Sequence, residues 1–410
     1  MPSSVTFRKT CRICEGKTFT KILDLGAMPP ANAFLSKDKL ETKETAFPLV
    51  LYFCRKCTLV QLRHVVNPDI LFKNYPYQTS ASAPLVAHFK KLAEDIRLKH
   101  LTSKNDLVVE IGSNDGSLLE NLKGSATILG VDPANPMVAI AAEKGVPTLT
   151  AFFSDRTADE IKNKHGKAKV IIANNVLAHI DDIHSVFRGI VKLLTPNGVF
   201  VFEAHWVGNL LGEGGFDQSY HEHLCYFSLH AISALAKKFK LKVLNVTLVP
   251  IHGQSIQVTL GKTGTPEKTV AAFMKKERDL GLKLSKTYTQ FAKKVSDNKE
   301  ALLGLLKELR SQGKKIVGYG APAKGNTLLN YLGVGIETLD FITDTTPSKQ
   351  GLYAPGSHIP ILPPNVLVSA KPDYILLLSW NYAEEILKKE GGLREAGVKF
   401  IIPVPKVKII

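Results

Sequence analysis

Two cysteine pairs, Cys11-x-x-Cys14 and Cys54-x-x-Cys57, restrict how this chain can fold more than any other feature. A C-x-x-C spacing sets two sulfurs on one tight turn, and two such turns complete a tetrahedral shell with sulfur about 2.3 Å from zinc. Five cysteines in 410 residues do not make a disulfide framework, and the fifth, Cys225, stands alone. A closed shell of four thiolates leaves no open position. Cys11, Cys14, Cys54 and Cys57 are therefore expected to hold a structural zinc ion, since chance clustering of free thiols would not give so symmetric a spacing. The segment to about residue 75 lacks helical periodicity, and residues 49–53 and 58–62 look like strands running into and out of the second pair, as in a zinc ribbon. So small a core is marginal unless the ion contributes folding energy.

The chain is too long for one ordinary core. Beyond the cysteine-bearing segment, strands are expected at 107–110, 127–131, 170–173 and 199–203 with helical stretches between them, which is the pattern of a doubly wound parallel sheet. Pro196-Asn-Gly198 reads as a turn before the last strand. A second alternating unit follows, with strands expected at 315–320, 338–342 and 374–378. The fold class is thus α/β with three domains: a zinc-ribbon-like domain at 1–75, a central Rossmann-like domain at 76–245 and a C-terminal Rossmann-like domain at 246–410.

A formal charge of +16 favours anionic partners, either phosphates on a small molecule or nucleic acid. About half of that excess lies between Lys262 and Lys315, where lysines alternate with Phe291, Val295, Leu302, Leu306 and Leu309 at helical spacing, so a solvated helical face accounts for it. No stretch reaches the roughly 18 apolar residues of a membrane span, and residues 1–9 lack the apolar middle of a signal peptide. A cytoplasmic protein without a membrane partner is expected.

Glu110-x-Gly112-x-x-x-Gly116 follows an apolar strand and precedes residues 117–122, which read as helical. Glycines there let the backbone approach a ligand, and a helix N-terminus favours a carboxylate or other anion. Asp132, at the end of the next strand, can accept hydrogen bonds from a ribose diol. Asn114 stands where a dinucleotide site has its middle glycine. A pyrophosphate needs that close approach, so the departure favours S-adenosylmethionine and a class I methyltransferase over a dehydrogenase. Glu110, Gly112, Asn114, Asp115, Gly116, Asp132 and Asn174 form the expected cofactor set, and His179 in the run 174–182 falls near the reacting methyl.

The densest polar chemistry lies at 216–228. In extended backbone Tyr220 and Glu222 would point to one side, His221 and His223 to the other. Methyl transfer to carbon needs a base beside a ketone, worth about 10² to 10⁴ in rate, and donors for the oxyanion, worth about 2.7–4 kcal/mol each. The segment offers both, although two histidines and a glutamate are also metal-ligand types. The turn holding Gly318, Gly320, Lys324 and Asn326 suits a diphosphate, and Asp344, Lys349 and Gly351 follow the next strand. A second Rossmann-like unit kept for packing alone is the other reading. His358 reads as a loop residue.

The cysteine pairs, the run 24–33, Tyr75-Pro-Tyr77 with Ser80 and Ser82, the Glu110–Gly116 loop, Tyr220-His-Glu-His223 and the run 318–326 together resemble the C-methyltransferases of nucleotide-linked 4-ketosugars. The resemblance spans nearly the whole chain. It implies a three-domain enzyme that binds S-adenosylmethionine in its middle domain and a dTDP-sugar between the middle and C-terminal domains. His223 would take the proton beside the keto carbon, with Glu222 and Tyr220 next to it, and either Tyr75 or Tyr77 would line the pocket with His179. His221, Tyr319, Lys324, Asn326 and Lys349 would contact the substrate. A monomer that binds no nucleic acid is expected. A zinc-ribbon RNA methyltransferase lacks support, because the basic and aromatic interleaving of RNA modules is missing. The intact cofactor residues argue against a degenerate metal-binding scaffold.

Overall fold

The computed structural model describes residues 4–72, 78–250 and 254–410. In the N-terminal domain the strands Phe19–Met28, Phe47–Cys54 and Val60–Leu62 pair antiparallel, and Val5–Phe7 pairs with His64–Val66. The fourth strand of that sheet comes from the middle of the chain. Cys225–Tyr226 pairs antiparallel with Val60–Leu62, setting Cys225 opposite Gln61 and Tyr226 opposite Val60. The zinc-ribbon-like head therefore shares its sheet with the central domain.

The central sheet runs in the order Lys242–Val249, Ser255–Gly261, Leu194–His205, Ala168–Asn174, Leu107–Ile111, Thr127–Val131, Thr148–Leu149. Its last five strands are parallel, and the first two pair antiparallel. Every residue of Leu107–Ile111 is buried, because helices cover both faces and a parallel strand then reads as a continuous apolar run. Alternate residues serve the two faces. Val108, Val170, Ile172 and Val201 pack with Leu85, Phe89 and Ile96 of helix Ala83–His100. Val109, Ile171, Phe200 and Phe202 share the opposite core with helices Asp155–His165 and Ile183–Leu193. Ser154 and Asp182 cap the latter two by accepting the N–H of Thr157 and Ser185 at 3.2 and 3.0 Å.

Four expectations are corrected. Residues 117–122 do not form an α-helix, since only a 3₁₀ turn at Leu119–Leu122 follows the glycine loop. Pro196-Asn-Gly198 is not a free turn but an irregularity within Leu194–His205, where the register against Ala168–Asn174 jumps between Leu194 and Val199. The strand expected at 338–342 shifts to Ile342–Thr343, because Thr338 donates its N–H to Gly335 and closes a turn. A boundary at 245 would cut the strand Lys242–Val249, whose partner Ser255–Gly261 lies beside Leu194–His205 in the central sheet.

The C-terminal sheet has the order Ile361–Leu362, Ile342–Thr343, Ile316–Tyr319, Tyr374–Leu377, Lys399–Ile402, Lys408–Ile409, parallel except for its last pair. Before it, helix Ser285–Ser311 buries Tyr288, Phe291, Val295, Leu302, Leu306 and Leu309, while Lys286, Lys293, Lys294 and Lys307 stay exposed. The lysine-rich stretch is a solvated helix face as expected. Tyr288 packs on Phe53 of the head with ring centroids 4.8 Å apart. No helix among the described residues is long and apolar enough to cross a membrane.

On helix Lys268–Asp279, Glu277 is fully buried. Its carboxylate accepts from Trp206 Nε1 at 2.8 Å, the N–H of Leu229 at 2.6 Å, and both the N–H and Nδ1 of His230 at 3.1 and 2.5 Å. A buried carboxylate is tolerated where donors surround it, and removing it strands them. Glu277→Ala is expected to destabilise the protein by about 3–5 kcal/mol, read as a lower urea midpoint.

Candidate functional site

Each cysteine pair sits on a turn closed by a left-handed residue four positions after its first cysteine. Glu15 (φ 56°) donates its N–H to the Cys11 carbonyl at 3.0 Å, and Thr58 (φ 65°) to that of Cys54 at 2.9 Å. Cys11 and Cys57 Sγ are 3.4 Å apart, Cys14 and Cys54 Sγ 3.5 Å, and all four lie within 4.8 Å of one another. A zinc ion with bonds of about 2.3 Å needs sulfurs about 3.8 Å apart, so the donor set and its spacing fit the ion. Gln61 donates Nε2 to Cys11 Sγ at 3.1 Å, an outer-shell contact that orients the thiolate.

At the carboxyl end of Leu107–Ile111 the loop turns through Gly112 (φ 68°), Asn114 (φ 49°) and Gly116 (φ 73°). Glycine is required at 112, where a Cβ would lie 2.9 Å from Val176 Cγ2. Asp132 anchors the loop by accepting the N–H of Asn114 at 2.8 Å and of Ala134 at 2.9 Å. Asp115 accepts the Ser117 hydroxyl at 2.6 Å and the Ser80 N–H at 2.9 Å, while the Thr79 N–H meets Asn114 Oδ1 at 3.0 Å. The segment entering helix Ala83–His100 thus lies against the loop.

Several polar atoms in this corner are buried without a partner: Glu110 Oε2, Ser113 Oγ, both amide atoms of Asn174, and Glu203 Oε2. Burial, reinforced by the charges of Asp132, Asp115 and Glu203, raises the Glu110 carboxyl well above the usual range. Glu203 lies opposite Asn174 in the sheet, and its other oxygen meets His88 Nε2 at 2.7 Å and Gln257 Nε2 at 2.9 Å. Unsatisfied buried groups cost stability and mark a place where a ligand supplies partners. This corner fits a polar nucleoside cofactor bound through Glu110, Asn174 and Asp132.

The histidine segment departs from strand alternation. The His223 N–H bonds the Tyr220 carbonyl at 2.9 Å, closing a tight turn that brings both side chains to the same side with ring centroids 4.0 Å apart. Two more imidazoles meet His223, those of His205 at 4.8 Å and His179 at 5.1 Å. His223 Nδ1 lies 3.0 Å from the Gln218 carbonyl. A carbonyl only accepts, so Nδ1 carries hydrogen and the neutral ring keeps its lone pair on Nε2. Burial, with His205 beside it, pushes His179 down to about 3, which keeps it neutral at physiological pH.

His221 does not join this cluster. Its Nε2 lies 3.0 Å from the Phe47 carbonyl of the head sheet and burial lowers its pKa to about 4, while its Nδ1 is buried without a partner. Among the described residues this segment forms no metal-holding group. Among the described residues the four cysteines are the one group placed to hold an ion. Glu222 accepts from Asn32 Nδ2 at 2.7 Å. Tyr75 and Tyr77 lie outside the described residues.

In the C-terminal domain Lys324, near the start of helix Ala323–Leu332, bonds Asn381 Oδ1 and sits 4.0 Å from the centre of the Trp380 ring. Burial lowers it to about 8. Asp217 of the central domain accepts from Trp380 Nε1 at 2.6 Å, and its second oxygen is buried without a partner. Tyr319 donates to Glu390 at 2.6 Å, and Lys349 donates to the Ala321 carbonyl at 2.9 Å. Asn326 is fully buried and donates to the Ala31 carbonyl at 2.7 Å, which ties the C-terminal domain to the head, while its Oδ1 is buried without a partner. His358 meets Glu44 of the head at 2.8 Å, a loop contact.

Residue patterns missed His205, Glu203, His88, Gln257 and Asn32. They are scattered polar residues, Glu203 and His205 on one strand and the others on three further segments, and strand register alone sets Glu203 beside Asn174.

Comparison with known proteins gives three family matches: a zinc binding domain over residues 11–72, a methyltransferase domain over 86–246 and a C-methyltransferase C-terminal domain over 250–405. The chain is 37% identical over 404 residues to C-methyltransferase NovU of Streptomyces niveus, covering 98% of this chain and 96% of that protein. It is 30% identical over 123 residues to a ubiquinone biosynthesis O-methyltransferase of Azorhizobium caulinodans, 28% of this chain and 46% of that one. Among solved structures, magnesium protoporphyrin IX methyltransferase from Synechocystis PCC 6803 with bound SAM aligns at 13% identity over 44% of this chain and 82% of its own, with a TM-score of 0.33.

Cys57→Ser is expected to lower metal content from about one zinc per chain towards zero and the melting temperature by roughly 10 °C, read by metal analysis and calorimetry.

Proposed function

The chain belongs to the C-methyltransferase family that joins an N-terminal zinc-binding domain, a methyltransferase domain and a C-methyltransferase C-terminal domain, and from that premise we propose that its acceptor is a nucleotide-linked 4-keto-deoxysugar, of the dTDP class. The protein is an S-adenosylmethionine-dependent C-methyltransferase. That cofactor supplies an electrophilic methyl group on a sulfonium centre.

One observation carries the reading: His223 has its Nδ1 committed to the Gln218 carbonyl, and Tyr220, His205 and His179 surround its ring. In this reading Nε2 takes the proton from the carbon next to the ketone. The electron pair of that C–H bond would become the enolate, whose carbon would take the methyl while the S–CH₃ bond breaks and its electron pair stays on sulfur as the neutral thioether. Tyr220 can donate to the developing oxyanion. His179 is held neutral by burial and can offer an N–H without competing for the proton. Glu222, fixed by Asn32, stands beside the base as its carboxylate neighbour.

Lys324, still largely a cation at pH 7, is assigned to the diphosphate together with Lys349 and Tyr319. His221 and Asn326 each hold one structural partner and keep a second buried atom, Nδ1 and Oδ1, without one, so both stay in the proposed substrate set.

His223→Asn is expected to lower turnover of a dTDP-4-keto-6-deoxyhexose by about 10² to 10⁴ and to leave S-adenosylhomocysteine binding by calorimetry unchanged. Normal methylation by that variant would overturn the assignment. Affinity for dTDP is expected to fall as the pH rises through about 8, where Lys324 loses its charge. Lys324→Met should flatten that dependence in a binding titration.

A further inference from the structure

We propose that Arg12, set between two zinc ligands, is a positioning residue for His179 and His223, so that the metal-bearing head fixes the geometry of the proton-transfer site. The inference rests on the reading of His223 as the base.

Arg12 follows Cys11 directly, and its side chain is wholly buried. A guanidinium in that position is costly unless several acceptors meet it. Three do: Asp181 Oδ1 takes Nε at 2.9 Å, Gln61 Oε1 takes Nη1 at 3.2 Å, and the Leu62 carbonyl takes Nη1 as well. Gln61 also accepts the Arg12 N–H at 3.2 Å and donates to Cys11 Sγ, so the residue is clamped to the metal turn at both its backbone and its head group.

Two of these acceptors lead to the histidines. Asp181 lies two residues after His179. Leu62, whose carbonyl Arg12 holds, donates its N–H to the Leu224 carbonyl at 3.0 Å, and Leu224 donates its N–H to the Ala178 carbonyl at 2.7 Å. Leu224 directly follows His223, and Ala178 directly precedes His179. One guanidinium is therefore linked to both sides of the pair of imidazoles that stand 5.1 Å apart, through the Asp181 side chain on one side and through the peptide groups of Leu62 and Leu224 on the other. Its planar fork serves two directions at once, which a lysine ammonium cannot reproduce. A displacement of about 1 Å between reacting groups costs about 10²-fold in rate.

Arg12→Met preserves much of the volume, and a buried ion pair replaced by an apolar side chain often leaves a fold intact. In protein labelled with [¹⁵N]histidine and saturated with S-adenosylhomocysteine, the variant is expected to shift the ring signals of His179 and His223. The ring signal of His88, bonded to Glu203 elsewhere, should stay in place. With a dTDP-4-keto-6-deoxyhexose, kcat should fall about 10- to 100-fold with KM within about threefold. Zinc content and S-adenosylhomocysteine affinity should match the wild type. Arg12→Lys should recover part of the rate. Asp181→Asn should lower kcat in the same direction and add little to Arg12→Met.

Unshifted His179 and His223 signals, or a wild-type kcat in Arg12→Met, would overturn the proposal. Loss of zinc alongside the rate would do so too, because the residue would then merely support the metal site. His223→Asn measured in parallel separates the two readings. If that variant turns over normally, the base is misassigned, whereas an inactive His223→Asn beside a normal Arg12→Met removes only the role given to Arg12.

Discussion

The peptide groups of Leu62, Leu224 and Ala178 form a short run of hydrogen bonds on which the arrangement of the site depends. Leu62 donates to Leu224, and Leu224 donates to Ala178. Each such bond is worth only about 0.5–1.5 kcal/mol net, but leaving a buried peptide group unmade costs more than that, so the run persists as a unit. It joins the head sheet, the histidine turn and the loop bearing His179. A domain that sequence alone presents as an attached metal knob is part of the wall of the site, because the strand Cys225–Tyr226 belongs to its sheet.

The distribution of satisfied and unsatisfied buried carboxylates separates structural from functional positions. Glu277 receives four hydrogen bonds and fixes the start of helix Leu229–Lys238 to Trp206, the neighbour of His205. Glu110, Asn174 and Glu203 converge at strand ends with atoms left over. Such a deficit is costly, and its concentration at one sheet edge is what a bound polar group would relieve. The imidazole cluster extends this corner through His179 and His205, which continue from the strands carrying Asn174 and Glu203. Asn174 with His179, and Glu203 with His205, thus lie on or just after the same two strands, Ala168–Asn174 and Leu194–His205.

What the sequence made legible was local. The cysteine pairs carry their meaning in their spacing, and the glycine loop carries it in its place after an apolar strand. The three-domain α/β order followed from periodicity and matches the observed sheets. The composition of the 220–223 segment was readable, but its geometry was not, because strand alternation was assumed where a turn stacks Tyr220 on His223. His221 and Asn326 each give one side-chain nitrogen to a distant carbonyl, that of Phe47 or Ala31, which no local pattern foretells. Partners that come from distant segments leave no local trace. His205, Glu203 and Arg12 each look like an unremarkable single residue until register and packing bring them together.

The fourth strand of the head sheet also sets an order of assembly on the ribosome. Val60–Leu62 emerges early, yet its partner Cys225–Tyr226 is made more than 160 residues later. At synthesis rates of about 5–20 residues per second, the nascent head waits roughly 10–30 s with one sheet edge bare. Metal capture by the two cysteine turns is local and can precede that wait, so the ion is positioned to hold the young sheet together until the strand that carries the site arrives.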